Sequence, residues 1–168
     1  VTASGLFLQA TATLTERVAL MGGLRYDRFD FGANDRLLTD GDNSGNIDMG
    51  QLSPTVGLVV EAGPSLSLFG NFATSLATPT TTELANTPEG GTGFNPDLNP
   101  QTGNTGEVGF RGQANNRFGF EMSVFLTNLT NELVPFETAA QDGRVFHRNS
   151  GRSTYKGLEA SVRAVLPQ

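Results

Sequence analysis

Residues 93–135, GFNPDLNPQTGNTGEVGFRGQANNRFGFEMSVFLTNLTNELVP, decide the fold. A loop rich in Gly, Asn and Pro runs into an alternating segment at 106–113. Ala114-Asn115-Asn116-Arg117 turns the chain. A longer alternating run then starts at Phe118 and is expected to continue, with an irregularity near Asn131, to Phe136. Phe118, Phe120, Met122, Val124 and Leu126 share one face of it; Gly119, Glu121, Ser123, Phe125 and Thr127 share the other. A period of two over this length predicts antiparallel strands. The stretch reads as one long hairpin below an extended loop.

The rest of the chain repeats that plan. Alternating runs are expected at 6–14, 18–31, 52–62, 65–76 and, as a last single strand, 144–166. Gly22-Gly23 predicts a bend or bulge, and Pro54 is expected at a strand end because it cannot donate a ladder bond. Tight links at 15–17, 63–64 and 114–117 alternate with long ones at 32–50 and 77–102, and a shorter one near 137–143. All short turns therefore fall at one end of the sheet and all large loops at the other. That asymmetry is the pattern of an outer-membrane barrel.

The bulk numbers narrow the class. With 168 residues the chain is long enough for one domain and a sizeable core. A net charge of -6 argues against a nucleic-acid binder. No cysteine is present, which excludes disulfides and thiolate sites. Charged residues make up 17% of the chain, below the usual quarter, and 21 glycines suit a turn-rich all-β protein. No apolar run is long enough for a membrane-crossing helix, which leaves a membrane β-barrel open. Both ends read as cut from a longer chain.

One face carries Leu, Val, Phe, Met and Ala, with Tyr26 as an interface aromatic. The other carries Arg25, Asp27, Glu61, Asn71, Glu107, Arg111, Glu121, Glu159 and Arg163. A half-buried soluble sheet gives the same alternation, so periodicity alone does not choose between the two. A membrane barrel predicts that Val56, Leu58, Val60, Leu66, Leu68, Phe72, Phe120, Met122 and Val124 face lipid. A sandwich predicts a second sheet over them.

The sequence resembles the β-barrel domain of TonB-dependent outer-membrane receptors. The likeness is carried, in order, by Gly23-Leu24-Arg25-Tyr26-Asp27-Arg28-Phe29, by residues 52–58 and 66–76, and by Gly93-Phe94-Asn95-Pro96-Asp97-Leu98-Asn99-Pro100-Gln101-Thr102 followed by Glu107-Val108-Gly109. Residues 125–134, Asn149-Ser150-Gly151-Arg152 and Lys156-Gly157-Leu158-Glu159-Ala160 complete the series. Gln101 stands where the family normally has Glu, and Leu76-Ala77-Thr78-Pro79 where it often has Arg-Pro-Pro. The resemblance implies an all-β, antiparallel, up-and-down transmembrane barrel segment. It would supply about seven strands of a 22-strand type, with residues 1–168 in one barrel domain and the plug lying elsewhere.

The resemblance also implies a function: an outer-membrane receptor, not an enzyme, for a scarce large substrate, typically a ferric siderophore. Energy would come from the TonB complex through the plug, and the partners would be outer-membrane lipid and a small-molecule substrate, with no nucleic acid. A passive porin and a structural or adhesive β-sheet module are the alternatives. Substrate is expected at the external loops, where Arg36, Asp40, Asp42, Asn95, Asp97, Asn99, Arg144 and His147 are the candidates. Arg36 or Arg144 could hold an anionic ligand through charge-assisted hydrogen bonds. No cofactor, metal or catalytic residue is expected. His147 is the only histidine, and the Asp40–Asp42–Ser44–Gly45 spacing does not meet the calcium-loop pattern.

Overall fold

The computed structural model describes residues 1–168 except 37, 40, 89–92, 116, 140–142 and 166–168. Among the described residues nine strands and one short helix follow one another: β1 Thr2–Thr15, β2 Val18–Ala33, β3 Gly45–Gly63, β4 Leu66–Ala77, α1 Thr81–Leu84, β5 Gln101–Asn115, β6 Phe118–Thr130, β7 Leu133–Glu137, β8 Val145–Asn149 and β9 Arg152–Ala164. Seven strands form one antiparallel sheet in the order β1-β2-β3-β4-β5-β6-β9, and β7-β8 is a separate hairpin inserted between its last two members. The expected single strand over 144–166 is thus two strands in two sheets. The expected run to Phe136 likewise ends at Thr130. Asn131 takes a left-handed backbone (φ 57), which asparagine tolerates better than most residues, and the ladder breaks there.

Three local expectations also fail. Gly22-Gly23 carries no bulge: the register runs unbroken through Ala10↔Gly22↔Val56 and Gln9↔Gly23↔Thr55. Gly23 makes room instead, because a Cβ there would stand 2.7 Å from Thr55 Cγ2. Pro54 lies inside β3, but pairing of β3 with β4 begins only at Thr55, so the proline ends that ladder rather than the strand. Residues 45–50, expected in a loop, extend β3 upward against the top of β2.

The short turns repeat one arrangement. Arg17, Ser65 and Arg117 each offer a backbone carbonyl to the next hairpin, accepting from the amides of Glu61, Gln113 and Val165 at 2.8, 2.9 and 2.8 Å. Each turn also sits lower than the one before. The first closes at Val18, in register with Val60 and Leu68; the second closes at Leu66, two residues beyond Leu68. Leu66 is in register with Gly112 and Phe120, and the third turn closes at Phe118, two residues beyond that. The sheet therefore descends one residue per strand. A rise of about 3.3 Å per residue over a strand spacing of about 4.8 Å gives a tilt of roughly 35°, at the edge of the range that barrel walls adopt.

The apolar face obeys the same slope. Its upper limit is Tyr26 on β2 and Leu158 on β9. Traced through Val124, Val108, Gly70 and Leu58, Leu158 is in register with Leu20, six residues below Tyr26. Six residues over five strand-to-strand steps is close to the slope of the turns, one residue per strand. A band that drifts through the register at the tilt angle is level with a plane crossing the strands obliquely, as a bilayer does.

No second sheet covers this face among the described residues, as a sandwich would require. Leu8, Leu68 and Val124 are 75%, 45% and 47% exposed. Contiguous apolar surface on this scale is foreign to a soluble monomer. The sizeable core expected from chain length is also absent: the described buried hydrophobics are Phe31, Met49, Leu84, Leu98 and Phe146, all at the long-loop end.

Candidate functional site

The inner face begins the site. Several of its polar side chains pair along the wall: Arg25 donates to both carboxylate oxygens of Asp27 (2.6 Å each), Ser67 Oγ to Glu61 (2.8 Å) and Asn71 Nδ2 to Glu107 (2.8 Å). Two glycines let aromatic rings lie flat against the wall. Phe69 covers Gly109 and Phe125 covers Gly157, each pair directly opposite in register; Cβ atoms there would meet the rings at 2.5 and 2.7 Å. The wall opposite the apolar band is thus mostly polar, with these two rings set over glycines.

At the long-loop end the β4–β5 connection folds back over this inner face. Leu84 and Leu98 are buried with Phe31 of β2 and Met49 of β3, and Phe29, Ile47, Phe94 and Leu133 pack around them. The four residues from β2 and β3 (Phe29, Phe31, Ile47 and Met49) are odd-numbered, which puts them on the lumen side. The fold-back is locally encoded. Thr80 caps α1 by accepting from the Glu83 amide (3.3 Å), while Glu83 Oε2 accepts from the Thr80 amide (2.6 Å), a reciprocal capping box. Asn95, 6% exposed, then donates its amide to the Leu84 carbonyl (2.6 Å) and accepts the Asp97 amide on Oδ1 (3.0 Å). The Asn-Pro-Asp-Leu-Asn-Pro phrase is the hinge of a folded loop, with Leu98 pointing into its core.

The β7-β8 hairpin locks onto this loop. Asn149 Oδ1 accepts the Asn99 amide (2.7 Å), and its Nδ2 donates to the carbonyls of Asn99 (2.9 Å) and Asn131 (2.7 Å). Arg144 donates to Asn86 Oδ1 through Nη2 (2.7 Å) and Nε (3.2 Å). His147 Nε2 stands 3.5 Å from Glu83 Oε1, and its Nδ1 is buried without a partner among the described residues. At the hairpin base Glu132 accepts hydroxyl protons from Ser153 and from Tyr155 (2.7 Å), and these hold its carboxyl below the usual range. Arg144 and Arg148 lie over the rings of Phe146 and Phe136, at 5.4 and 5.1 Å from the centroids, and both arginines are exposed.

Of the candidate residues, Asn95, Asp97, Asn99, Arg144 and His147 are therefore brought together. Arg36 and Asp42 are exposed in the separate β2–β3 loop. Asp42 accepts the Ser44 amide (2.9 Å) and is held below the usual carboxylate range by Ser44. Asp40 lies outside the described residues. Among the described residues no group of three or more His, Asp or Glu side chains is placed to hold a metal ion. Sequence reasoning missed Glu83, Asn86, Glu132, Arg148 and Asn149. Thr80-Thr81-Thr82-Glu83 carried a capping-box signature that would have located α1. The others had no local signal, since their partners are distant in sequence.

A tilted sheet with an outward apolar band, a polar inner wall and a folded mouth defines a section of a transmembrane β-barrel. Residues 1–165 match the family described as TonB dependent receptor-like, beta-barrel, and the chain belongs to that family. Solved structures share the fold. A double mutant of the Serratia marcescens hemophore receptor HasR, in complex with its hemophore HasA and heme, matches at 23% identity over 95% of this chain and 31% of its own, with a TM-score of 0.71. The copper transporter OprC matches at 18% identity over 97% and 26%, with a TM-score of 0.78. The siderophore receptor PiuA from Acinetobacter baumannii matches at 18% identity over 98% and 23%, with a TM-score of 0.74. The chain spans between about a quarter and a third of the length of these structures.

Proposed function

We propose that residues 1–168 form part of one barrel domain of an outer-membrane receptor that takes up a scarce, large substrate. A ferric siderophore is the substrate class that best fits the relatives and the mouth. The observation that carries this reading is the coincidence of a level lipid-facing band with a folded, cation-bearing mouth, in a chain matched to the receptor family over residues 1–165. Energy would enter through TonB acting on a plug, carried by a segment outside this chain and resting against the polar inner wall. Arg144 and Arg148, each over a phenylalanine ring, would meet an anionic ligand, with Arg36, Asp97 and the Asp40–Asp42 stretch at the rim. Asn95, Asn99 and His147 would shape the loop that presents them.

Uptake of a radiolabelled ferric siderophore by cells carrying the full-length receptor, with and without TonB, tests this. TonB-dependent accumulation is the expected result. Uptake that persists without TonB would mark a passive channel, and a parent protein that fractionates away from the outer membrane would overturn the reading altogether.

A further inference from the structure

The β7-β8 hairpin meets the folded β4–β5 loop along one face. Pro135 lies directly opposite His147 and Leu133 opposite Asn149, so the odd-numbered positions of the two strands share that face. Two of them reach the loop. Asn149 binds the Asn99 backbone at the hairpin base, and His147 stands against Glu83 of α1, nearer the tip. The first contact joins neutral groups. The second does not, because an imidazole changes charge near neutral pH.

Glu83 is set for this contact. Its Oε2 accepts from the Thr80 amide (2.6 Å) and hydroxyl (3.0 Å), and the capping box holds the carboxylate at the start of α1. Its Oε1 faces His147 Nε2 at 3.5 Å. The two side chains are 21% and 23% exposed, so water screens the pair only in part. On a neutral ring the contact is one hydrogen bond at the outer limit of length. On a charged ring the same atoms form an ion pair, and such bonds are roughly twice as strong.

Charging the ring has an opposing effect at Nδ1, which is buried and finds no acceptor among the described residues. Neighbouring charges decide which effect prevails. Glu137 shares the histidine's face of the hairpin, diagonally across on β7. Asp97 lies on the loop and Glu132 at the hairpin base, committed to Ser153 and Tyr155. Arg144 and Arg148 oppose them, but they occupy even positions on the other face of β8, drawn over Phe146 and Phe136. The histidine's own side of the hairpin is therefore acidic, and the ion pair wins.

We propose that His147 and Glu83 form a pH-sensitive latch between hairpin and loop, tight on the acid side and slackened as pH rises through the imidazole's titration. The Asn149 tie does not titrate, so the hairpin base stays joined while its outer half loosens. That half carries Arg144, and the latch governs how firmly this exposed cation is held in the mouth. The consequence for ligand capture rests on the receptor reading; the latch itself does not.

The test is hydrogen exchange read by mass spectrometry on the full-length receptor in lipid nanodiscs, at about pH 5.5 and about pH 8, on either side of the ordinary imidazole value. Rates are corrected for the intrinsic pH dependence of amide exchange. The window lies above the range in which Glu132 titrates. Protection of the Leu84 and Ala85 amides, which close α1 onto Thr80 and Thr81, is expected to fall roughly fivefold from the acid to the alkaline side, the scale by which a charged hydrogen bond exceeds a neutral one. The Asn99 amide should keep its protection throughout. H147Q retains a donor but cannot charge, and should show the alkaline level at both pH values. E83Q, whose amide oxygen can still cap Thr80, should do the same from the other side of the contact. Protection in the native chain that is independent of pH, or that falls toward acid, would overturn the latch. So would a full pH dependence surviving in H147Q or E83Q, or a loss at Asn99 in H147Q, which would make His147 a plain structural tie. Uptake that is absent or independent of TonB would sink the receptor reading and leave these exchange results standing.

Discussion

Asn149 holds both backbone groups of Asn99, fifty residues away, accepting its amide at 2.7 Å and donating to its carbonyl at 2.9 Å. The same amide group also donates to the Asn131 carbonyl where the main ladder ends. One side chain thus ties the β4–β5 loop, the β7-β8 hairpin and the top of β6. Asn149→Ala is expected to loosen the loop by about 1–3 kcal/mol, the scale of two to three hydrogen bonds, without disturbing the sheet. Hydrogen exchange at the Asn99 amide should rise by one to two decades. Unchanged protection would show that the apolar contacts of Leu98 alone hold the loop.

Two glycines three residues apart on β5 should respond in opposite ways. A Cβ on Gly109 would meet Phe69 Cζ at 2.5 Å and, less forgivingly, the Met122 carbonyl oxygen at 2.6 Å. One on Gly106 would meet nothing. Gly109→Ala is expected to cost about 1–3 kcal/mol through overpacking against backbone, whereas Gly106→Ala should be neutral. Urea unfolding of the full-length protein in lipid vesicles would compare them. Equal midpoints would contradict the close approach at Gly109.

The two faces predict a contrast of charge. Val124→Arg places a cation in the middle of the band and should cost about 2–4 kcal/mol. Glu121→Arg, three residues away on the inner face, should stay within about 1 kcal/mol because water reaches it. If both variants fold into vesicles equally well, the band does not face lipid.

Acid should loosen the hairpin base. The Ser153 and Tyr155 hydroxyls hold the folded Glu132 carboxyl below its ordinary value, so its contribution is complete above the unfolded glutamate pKa of about 4.3. It is lost as pH falls through the lower folded value. Asp42, depressed through Ser44, behaves the same way in its own loop. Glu132→Gln should flatten the acid limb of hydrogen exchange in β7-β8. A variant with the same acid dependence as the native chain would assign the effect elsewhere.

How much of this was legible in the sequence depended on range. Period two located every strand of the main sheet, because the faces of a barrel wall differ in solvent and the pattern must follow. It marked an irregularity near Asn131 but carried the strand past it, and it did not separate β8 from β9, because alternation continues on both sides of each. Gly22-Gly23 misled for a related reason: glycine can mark a bulge or only make room, and Thr55 on the neighbouring strand decided it. The described candidates fall at the long-loop end, His147 within β8 itself, and Asn95 and Asn99 turned out to be structural ties. Their partners, Leu84 and Asn149, are set by tertiary folding and leave no trace at short spacing.

The descent of the turns by two residues per hairpin has a consequence for how such a wall can change. Side chains swap faces with every single residue, so a one-residue insertion within β5 would expose Glu107 and Arg111 to lipid and turn Val108 and Phe110 toward the lumen. Only even changes preserve which solvent each residue meets. The wall is quantised in whole pleats. Its loops can vary freely in length, but its strands can lengthen, shorten or shift only two residues at a time.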